Sequence, residues 1–234
     1  MTLRLHWSPD SANLVVRLAL EELGLPFEAV RLDRSAGAHR SPSYLRLNPQ
    51  GLIPVLEDGP LVLFETGAIL LHLADRTGRL GPEGPDARDP ATRAAFLRWL
   101  FWISNTLHAD LRAAFYTHRY VSEATVPELR AGLSRRVAEH VALVEGAMES
   151  GNWPAGPAPL LTDLYLAACL RWARLYPSAG PATLGAAPTG RVGALLAHLG
   201  TRPAVKRALA AESIPSADFL DPVGPALPPA EITG

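Results

Sequence analysis

Cysteine is nearly missing from this chain of 234 residues, where Cys169 stands alone. One thiol closes no internal disulfide, so a stapled, secreted domain is excluded. An excess of charge of either sign is missing too. The 22 Lys and Arg against 23 Asp and Glu leave a formal net charge of −1, with no global basic field for nucleic acid or an anionic membrane. Long apolar runs are absent: the stretches around 99–107 and 164–170 fall far short of the roughly 20 residues that span a bilayer. The opening Met-Thr-Leu-Arg-Leu-His-Trp has no basic segment followed by an apolar run, as a signal peptide would. The expectation is a cytoplasmic protein with no membrane and no nucleic-acid partner. Histidines stand at 6, 39, 72, 108, 118, 140 and 198. None forms a zinc-type pair with cysteine or with a histidine four residues on, so no metal is expected. There is no Gly-rich phosphate loop and no internal repeat.

Proline and glycine, by contrast, are plentiful. The 22 prolines and 19 glycines make up about 18% of the chain, against an average near 12%. With 48% hydrophobic and 19% charged residues the chain has ample material for a core, and disorder is not its default. The length fits one large domain or two small ones.

The first eighty residues read as mixed α/β. Apolar residues alternate in Leu3-Arg4-Leu5-His6-Trp7, as in a strand. Ser8-Pro9-Asp10-Ser11 is a turn and helix start, and the helix through Leu14 and Leu18 stops at Gly24 and Pro26. Residues 27–32 alternate again, which completes a βαβ unit. Arg34 to Tyr44 is polar and reads as loop, followed by a turn at Asn48-Pro49-Gln50-Gly51. Ile53-Pro54-Val55-Leu56, a turn at Asp58-Gly59-Pro60, and Leu61-Val62-Leu63-Phe64 read as a hairpin. Glu65-Thr66 then opens a helix that ends before Gly78.

A proline cluster over 81–90 reads as a linker. Beyond it the pattern is helical almost throughout: Phe96, Leu100, Ile103, Leu107 and Leu111 recur at spacings of three and four. Further helices follow over about 129–148, 161–173, 192–199 and 203–211. The expected architecture is therefore a domain over 1–80, a linker over 81–90, an all-helical domain over 91–212 and a Pro-rich tail over 213–234. The tail reads either as a loose end or as a strap.

Three features could carry chemistry. A proline within an apolar strand requires an edge position or a deformed strand. A cis bond there would turn the Ile53 backbone outward toward a peptide-like ligand. Glu65-Thr66 lies at a strand-to-helix junction, where free N–H groups favour a carboxylate and Glu65 could accept from an ammonium group. The alternative is an ordinary cap with Thr66 as N-cap. Ser8, Asp10, Ser11 and Asn13 crowd the first helix start, either as caps or as an anion site that could stabilise a thiolate. Cys169, in an apolar run, reads as core.

In their order, Ser8-Pro9, Gly24-Leu25-Pro26-Phe27, Asn48-Pro49-Gln50-Gly51-Leu52-Ile53-Pro54-Val55-Leu56, Glu65-Thr66 and Arg202-Pro203-Ala204-Val205 resemble the glutathione transferase family. The resemblance implies a thioredoxin-like α/β N-terminal domain and an all-α helical-bundle C-terminal domain. It also implies a homodimer and glutathione as co-substrate for attack on a small-molecule electrophile. Carried across, Pro54 would be cis and Ile53 would offer its backbone to the cysteinyl part of glutathione. Glu65 and Thr66 would hold its γ-glutamyl end. His39, with Arg40 and Arg34 as alternatives, would lie near the glycyl carboxylate. The spacing after Ser8-Pro9 resembles the bacterial beta-type class, but Ala12 stands where that class has its cysteine. Ser11 is therefore the expected sulfur-facing hydroxyl, with Asn13 and Ser8 as runners-up. Leu107-His108 resembles a pair in the same class. On a helical wheel His108 shares a face with Phe101, Asn105 and Arg112. Phe101, Trp102, Asn105, His108, Arg112 and Tyr116 are expected near the second substrate; for His108 the alternatives are a surface histidine or an interdomain bond. The missing cysteine leaves open a glutathione-binding module with little turnover, or a glutathione-dependent reductase or peroxidase. Finally, Leu160 stands where the family places Ser or Thr before the Asp matching Asp163, so an incomplete capping box is expected there.

Overall fold

The computed structural model describes residues 2–83, 89–156, 158–176, 184 and 188–226. Its chain divides into two compact units, one of Met1–Gly81, Thr201–Ala217 and Val223–Gly234, the other of Pro82–Gly200 and Asp218–Pro222.

The first unit holds a four-stranded sheet in the order β2-β1-β3-β4. β1 (Leu3–Trp7) pairs in parallel with β2 (Phe27–Arg31). Between them α1 (Asn13–Leu23) makes the crossover and ends on Gly24, whose φ of 65° is the left-handed helix stop that glycine allows at no steric cost. β3 (Val55–Asp58) runs antiparallel to β1, with Leu5 opposite Leu56, and β4 (Leu61–Phe64) closes the hairpin. α3 (Thr66–Thr77) follows and packs on α1. Leu5, Leu14, Leu18, Val55, Leu56, Ile69 and Leu70 are completely buried and form the core between sheet and helices.

Two expectations are corrected here. β3 is an interior strand, not an edge. It tolerates Pro54 because the strand begins one residue later, at Val55, so the missing N–H is not asked of the ladder. The polar run after Arg34 is not all loop. It holds a 3-10 turn at Ala38–Arg40 and a one-turn helix, α2 (Pro42–Leu45), capped by the Ser41 hydroxyl, which accepts from the Tyr44 N–H at 3.3 Å.

The second unit is helical. α4 (Pro90–Trp102) starts on an Asp89 cap and runs without a break through a π-turn at Ile103–Leu107 into α5 (His108–Phe115). α6 (Val126–Glu149), α7 (Leu161–Leu175) and α8 (Gly190–Thr201) complete it. α7 is buried along nearly its whole length, with Leu161, Leu164, Tyr165, Leu166 and Cys169 at its centre. The helical domain expected over 91–212 ends earlier, because α9 (Pro203–Ala211) belongs to the first unit and packs on α1. Glu22 accepts from Arg202 at 2.6 and 2.7 Å, and Glu21 from Arg207 at 2.9 Å. Of the expected tail, 213–226 is ordered with Ile214 and Phe219 buried, and the Ala226 N–H donates to the Ser213 carbonyl at 2.8 Å. Residues 227–234, with Pro228 and Pro229, lie outside the described residues. So do 84–88 of the expected linker.

Candidate functional site

The turn between β1 and α1 is built on one carboxamide. Asn13, fully buried, accepts at Oδ1 from the Ser8 N–H at 2.9 Å and from the Ser11 hydroxyl, and its Nδ2 donates to Glu212 Oε1 at 2.6 Å. Glu212, at the end of α9, also accepts from the Asp10 N–H at 2.8 Å and from Arg17 Nε at 3.0 Å. Burial pushes its carboxyl up to about 7, against the opposing pull of Arg17. The capping reading of this cluster is corrected: Ala12 is the N-cap residue and no side chain caps α1. The Ser11 and Asn13 side chains are held by the network instead, while the buried Ser8 hydroxyl has no hydrogen-bond partner among the described residues.

This geometry separates the three candidates for the sulfur-facing group. Ser8 is fully buried, and Asn13 has its amide spent on Glu212. Ser11 alone is half-buried.

The second part of the site surrounds Ile53. The Ile53–Pro54 bond is cis. The Leu52 carbonyl before it accepts from the Tyr44 hydroxyl at 2.7 Å and from Asn48 Nδ2 at 2.8 Å. Burial raises the Tyr44 phenol, which keeps it a donor. The Ile53 N–H and C=O take no partner among the described residues. Gly51, at φ 62°, allows a close approach: a Cβ there would meet the His39 carbonyl oxygen at 2.9 Å. Arg40 Nη1 donates to the Gln50 carbonyl at 2.9 Å, so the half-buried His39 turn lies against 50–51. Gln50 Nε2 in turn reaches Glu65 Oε1 at 3.3 Å.

Glu65, not Thr66, is the N-cap residue of α3, and its side chain makes no cap bond. Its φ of 72° is strained for a residue with a Cβ. Glu65 is exposed while Thr66 is buried. A carboxylate thus stands beside an uncapped helix start, as an amino-acid zwitterion requires.

The helical unit departs further from expectation. The π-turn at Ile103–Leu107 inserts one residue into the helix, which rotates everything after it by about 100° relative to an ideal wheel. His108 accordingly parts from the face predicted for Phe101, Asn105 and Arg112. Phe101, Asn105 and Arg112 are exposed, whereas His108 turns onto α7. Its Nδ1 lies 2.7 Å from the Tyr165 hydroxyl and its ring 5.3 Å from that of Trp172. Neither surface histidine nor interdomain bond describes it. Burial and the nearby Arg112 charge lower its imidazole to about 4, so it is neutral at neutral pH. Trp102 packs edge-on against Trp99 and His140. Tyr116 lies under the Arg119 guanidinium at 4.5 Å.

Farther along, Asp163 accepts from the Leu160 N–H and from Trp153 Nε1, both at 2.8 Å. The acceptor that a Ser or Thr would bring to the box is replaced by the Leu160 carbonyl, which accepts from the Asp163 N–H at 3.0 Å, and the indole adds a second donor to the carboxylate. Cys169 is completely buried, and burial raises its thiol well above the ordinary value. Among the described residues no group of His, Cys, Asp or Glu could hold a metal ion, and no helix is long and apolar enough to cross a membrane.

Gln50, Tyr44 and Glu212 were not anticipated as parts of the site. Gln50 was visible inside the Asn48-Pro49-Gln50-Gly51 turn, but nothing local links Glu212 to Asn13, 199 residues away.

A mixed β2-β1-β3-β4 sheet with a cis proline at the start of β3 and a carboxylate at the next helix start defines a thioredoxin-like glutathione-site fold. Comparison with known proteins agrees. Residues 1–75 match the family described as Glutathione S-transferase, N-terminal domain. The chain is 30% identical over 172 residues to glutathione S-transferase GST-4.5 of Xanthomonas campestris pv. campestris, covering 73% of this chain and 82% of that one. It is 27% identical over 179 residues to the disulfide-bond oxidoreductase YfcG of Escherichia coli, covering 74% and 79%. Among solved structures, a glutathione transferase from Burkholderia graminis with two glutathione molecules bound per subunit superposes with a TM-score of 0.71 at 26% identity, over 89% of this chain and 87% of that one. The chain belongs to the glutathione S-transferase family.

Proposed function

We propose that this protein is a glutathione transferase whose Ser11 faces the glutathione sulfur. The observation that carries the reading is the Ser11 hydroxyl, half-buried on the Asn13 carboxamide at an uncapped helix start. Its one proton, held on Asn13 Oδ1 here, turns to the sulfur when glutathione binds, and a hydroxyl donor and the positive helix end both favour thiolate over thiol. The thiolate attacks an electrophilic carbon, the new C–S bond forms as the leaving group departs, and the thiol proton goes to solvent.

The peptide is held at three points. The free Ile53 N–H and C=O pair with the cysteinyl backbone, in the manner of a strand edge. Glu65 accepts from the γ-glutamyl ammonium, while the N–H groups at Thr66 receive its carboxylate. His39, with Arg40 beside it, faces the glycyl carboxylate. The electrophile side draws on Phe101, Trp102, Asn105, Arg112 and Tyr116, with His108 behind them on Tyr165. Exposed Phe101 and half-buried Trp102 offer the apolar contact that such substrates need. The working form is a cytoplasmic homodimer, as the family resemblance implies.

A reductase reading has one observation in its favour, the similarity to a disulfide-bond oxidoreductase. The burial of Cys169 counts against a protein thiol taking part.

The test is turnover of a generic aryl halide with glutathione, alongside calorimetric binding. The expected result is conjugation by the wild type and a Glu65→Gln variant that binds glutathione about 10- to 100-fold more weakly, the loss of one charge-assisted bond. Tight binding without turnover of any electrophile would support a binding module instead. Absence of glutathione binding would overturn the reading.

A further inference from the structure

Glu212 is the one completely buried carboxylate among the described residues, and it lies on a segment that none of the site motifs includes. Its two oxygens are taken by three donors: Asn13 Nδ2, Arg17 Nε and the Asp10 N–H. The charged groups facing it are Arg17 from α1 and Asp10 from the β1–α1 turn. In its ionised form Glu212 only accepts, so it compels the Asn13 amide nitrogen to point toward α9 and the amide oxygen to point the other way. That oxygen holds the Ser8 N–H and the Ser11 hydroxyl. The Ser11 hydroxyl proton is therefore held on Asn13, and away from any other acceptor, by a residue some two hundred positions away in sequence.

We propose that Glu212 is a positioning residue for Ser11, and that through Asn13 it tunes how strongly the protein stabilises the glutathione thiolate. The inference rests on the reading of Ser11 as the sulfur-facing group. α9 does not depend on Glu212 for its place on α1. The Arg202–Glu22 and Arg207–Glu21 ion pairs and buried Ala204, Val205, Ala208 and Leu209 anchor it independently. The carboxylate is thus dispensable for docking the helix but not for orienting the amide. In Glu212→Gln, an amide that presents both a donor and an acceptor replaces one that only accepts. Asn13 is then free to turn its amide nitrogen toward Ser11, and the one hydroxyl proton, no longer held on Asn13 Oδ1, is released to the sulfur.

The experiment is a pH titration of the thiolate absorbance of bound glutathione in the full-length wild type, Ser11→Ala, Glu212→Gln and the double variant. Asn13→Ala serves as a second break in the same link that leaves Glu212 bonded to Arg17 and Asp10. Melting temperatures confirm that each variant is folded. The expected result is a thiol midpoint lowered by about half a unit or more in Glu212→Gln and in Asn13→Ala, a threefold gain of thiolate well below the midpoint. In the Ser11→Ala background Glu212→Gln should add nothing, because coupled residues are not additive. If Ser11→Ala raises the midpoint while Glu212→Gln and Asn13→Ala leave it in place, Glu212 is a structural residue and the inference fails alone. If Glu212→Gln shifts the midpoint equally with and without Ser11, it acts by another route and the inference also fails. A midpoint unmoved by Ser11→Ala overturns this inference together with the reading beneath it.

Discussion

Asp163 in the helical unit and Glu212 in the sheet unit are both carboxylates withdrawn from water, yet their partners differ. Asp163 accepts from an indole and a backbone N–H beside its own helix. Glu212 accepts from a guanidinium, a carboxamide and a backbone N–H, all far away in sequence. Burial raises the pKa of both. The first arrangement closes a local turn and serves folding. The second reaches across the unit to a hydroxyl at the candidate site, so it couples the end of α9 to chemistry.

The largest effect that would sharpen this contrast is on stability. Asp163→Ala strands a buried indole N–H and the Leu160 N–H, and should cost about 2–4 kcal/mol in a urea titration. The thiol midpoint of glutathione bound to the folded variant should not move. A shift there would break the division between a folding carboxylate and a site carboxylate.

A comparable effect is expected from pH. The Glu212 carboxyl rises from 4.5 to about 7 on folding. Below the lower value both folded and unfolded chains carry the proton, and the group contributes nothing. As pH rises from 4.5 to 7 the unfolded chain releases its proton first, so the folded state loses stability, by up to about 3 kcal/mol. The loss is complete above the upper value. Urea titrations at about pH 5 and pH 7.5 should show Glu212→Gln with a shallower decline than the wild type. Equal slopes would contradict the burial argument for this carboxylate.

The smallest effect concerns His108. Its bond to Tyr165 pairs two neutral groups within one helical unit. Tyr165→Phe should therefore cost only about 1 kcal/mol. The imidazole should remain unprotonated at about pH 6 by NMR, since burial and Arg112 set its charge.

Much of the sheet unit was legible because its determinants are local. Alternation marked β1 and β2, and Gly24 ended α1, whereas Pro54, read as lying inside a strand, stands just before β3. The placement of β3 was not legible, because strand order depends on pairing between segments some fifty residues apart. Ser11 could be named from its position, but the reason to prefer it over Asn13 came from Glu212, a long-range contact with no local signal. His108 failed for another reason. The helical wheel assumes 3.6 residues per turn, and nothing in Ile103-Ser104-Asn105-Thr106-Leu107 announces a π-turn. Glu65 was read correctly as a residue at a helix start, but its left-handed φ is invisible in a glutamate.

The central claim is that Ser11 stabilises the thiolate of bound glutathione, and the titration of that thiol in wild type and Ser11→Ala tests it most directly. The account predicts a midpoint for the wild-type complex below that of free glutathione, raised by about one unit or more in Ser11→Ala. Identical midpoints in the two proteins, with glutathione bound in both, would contradict it.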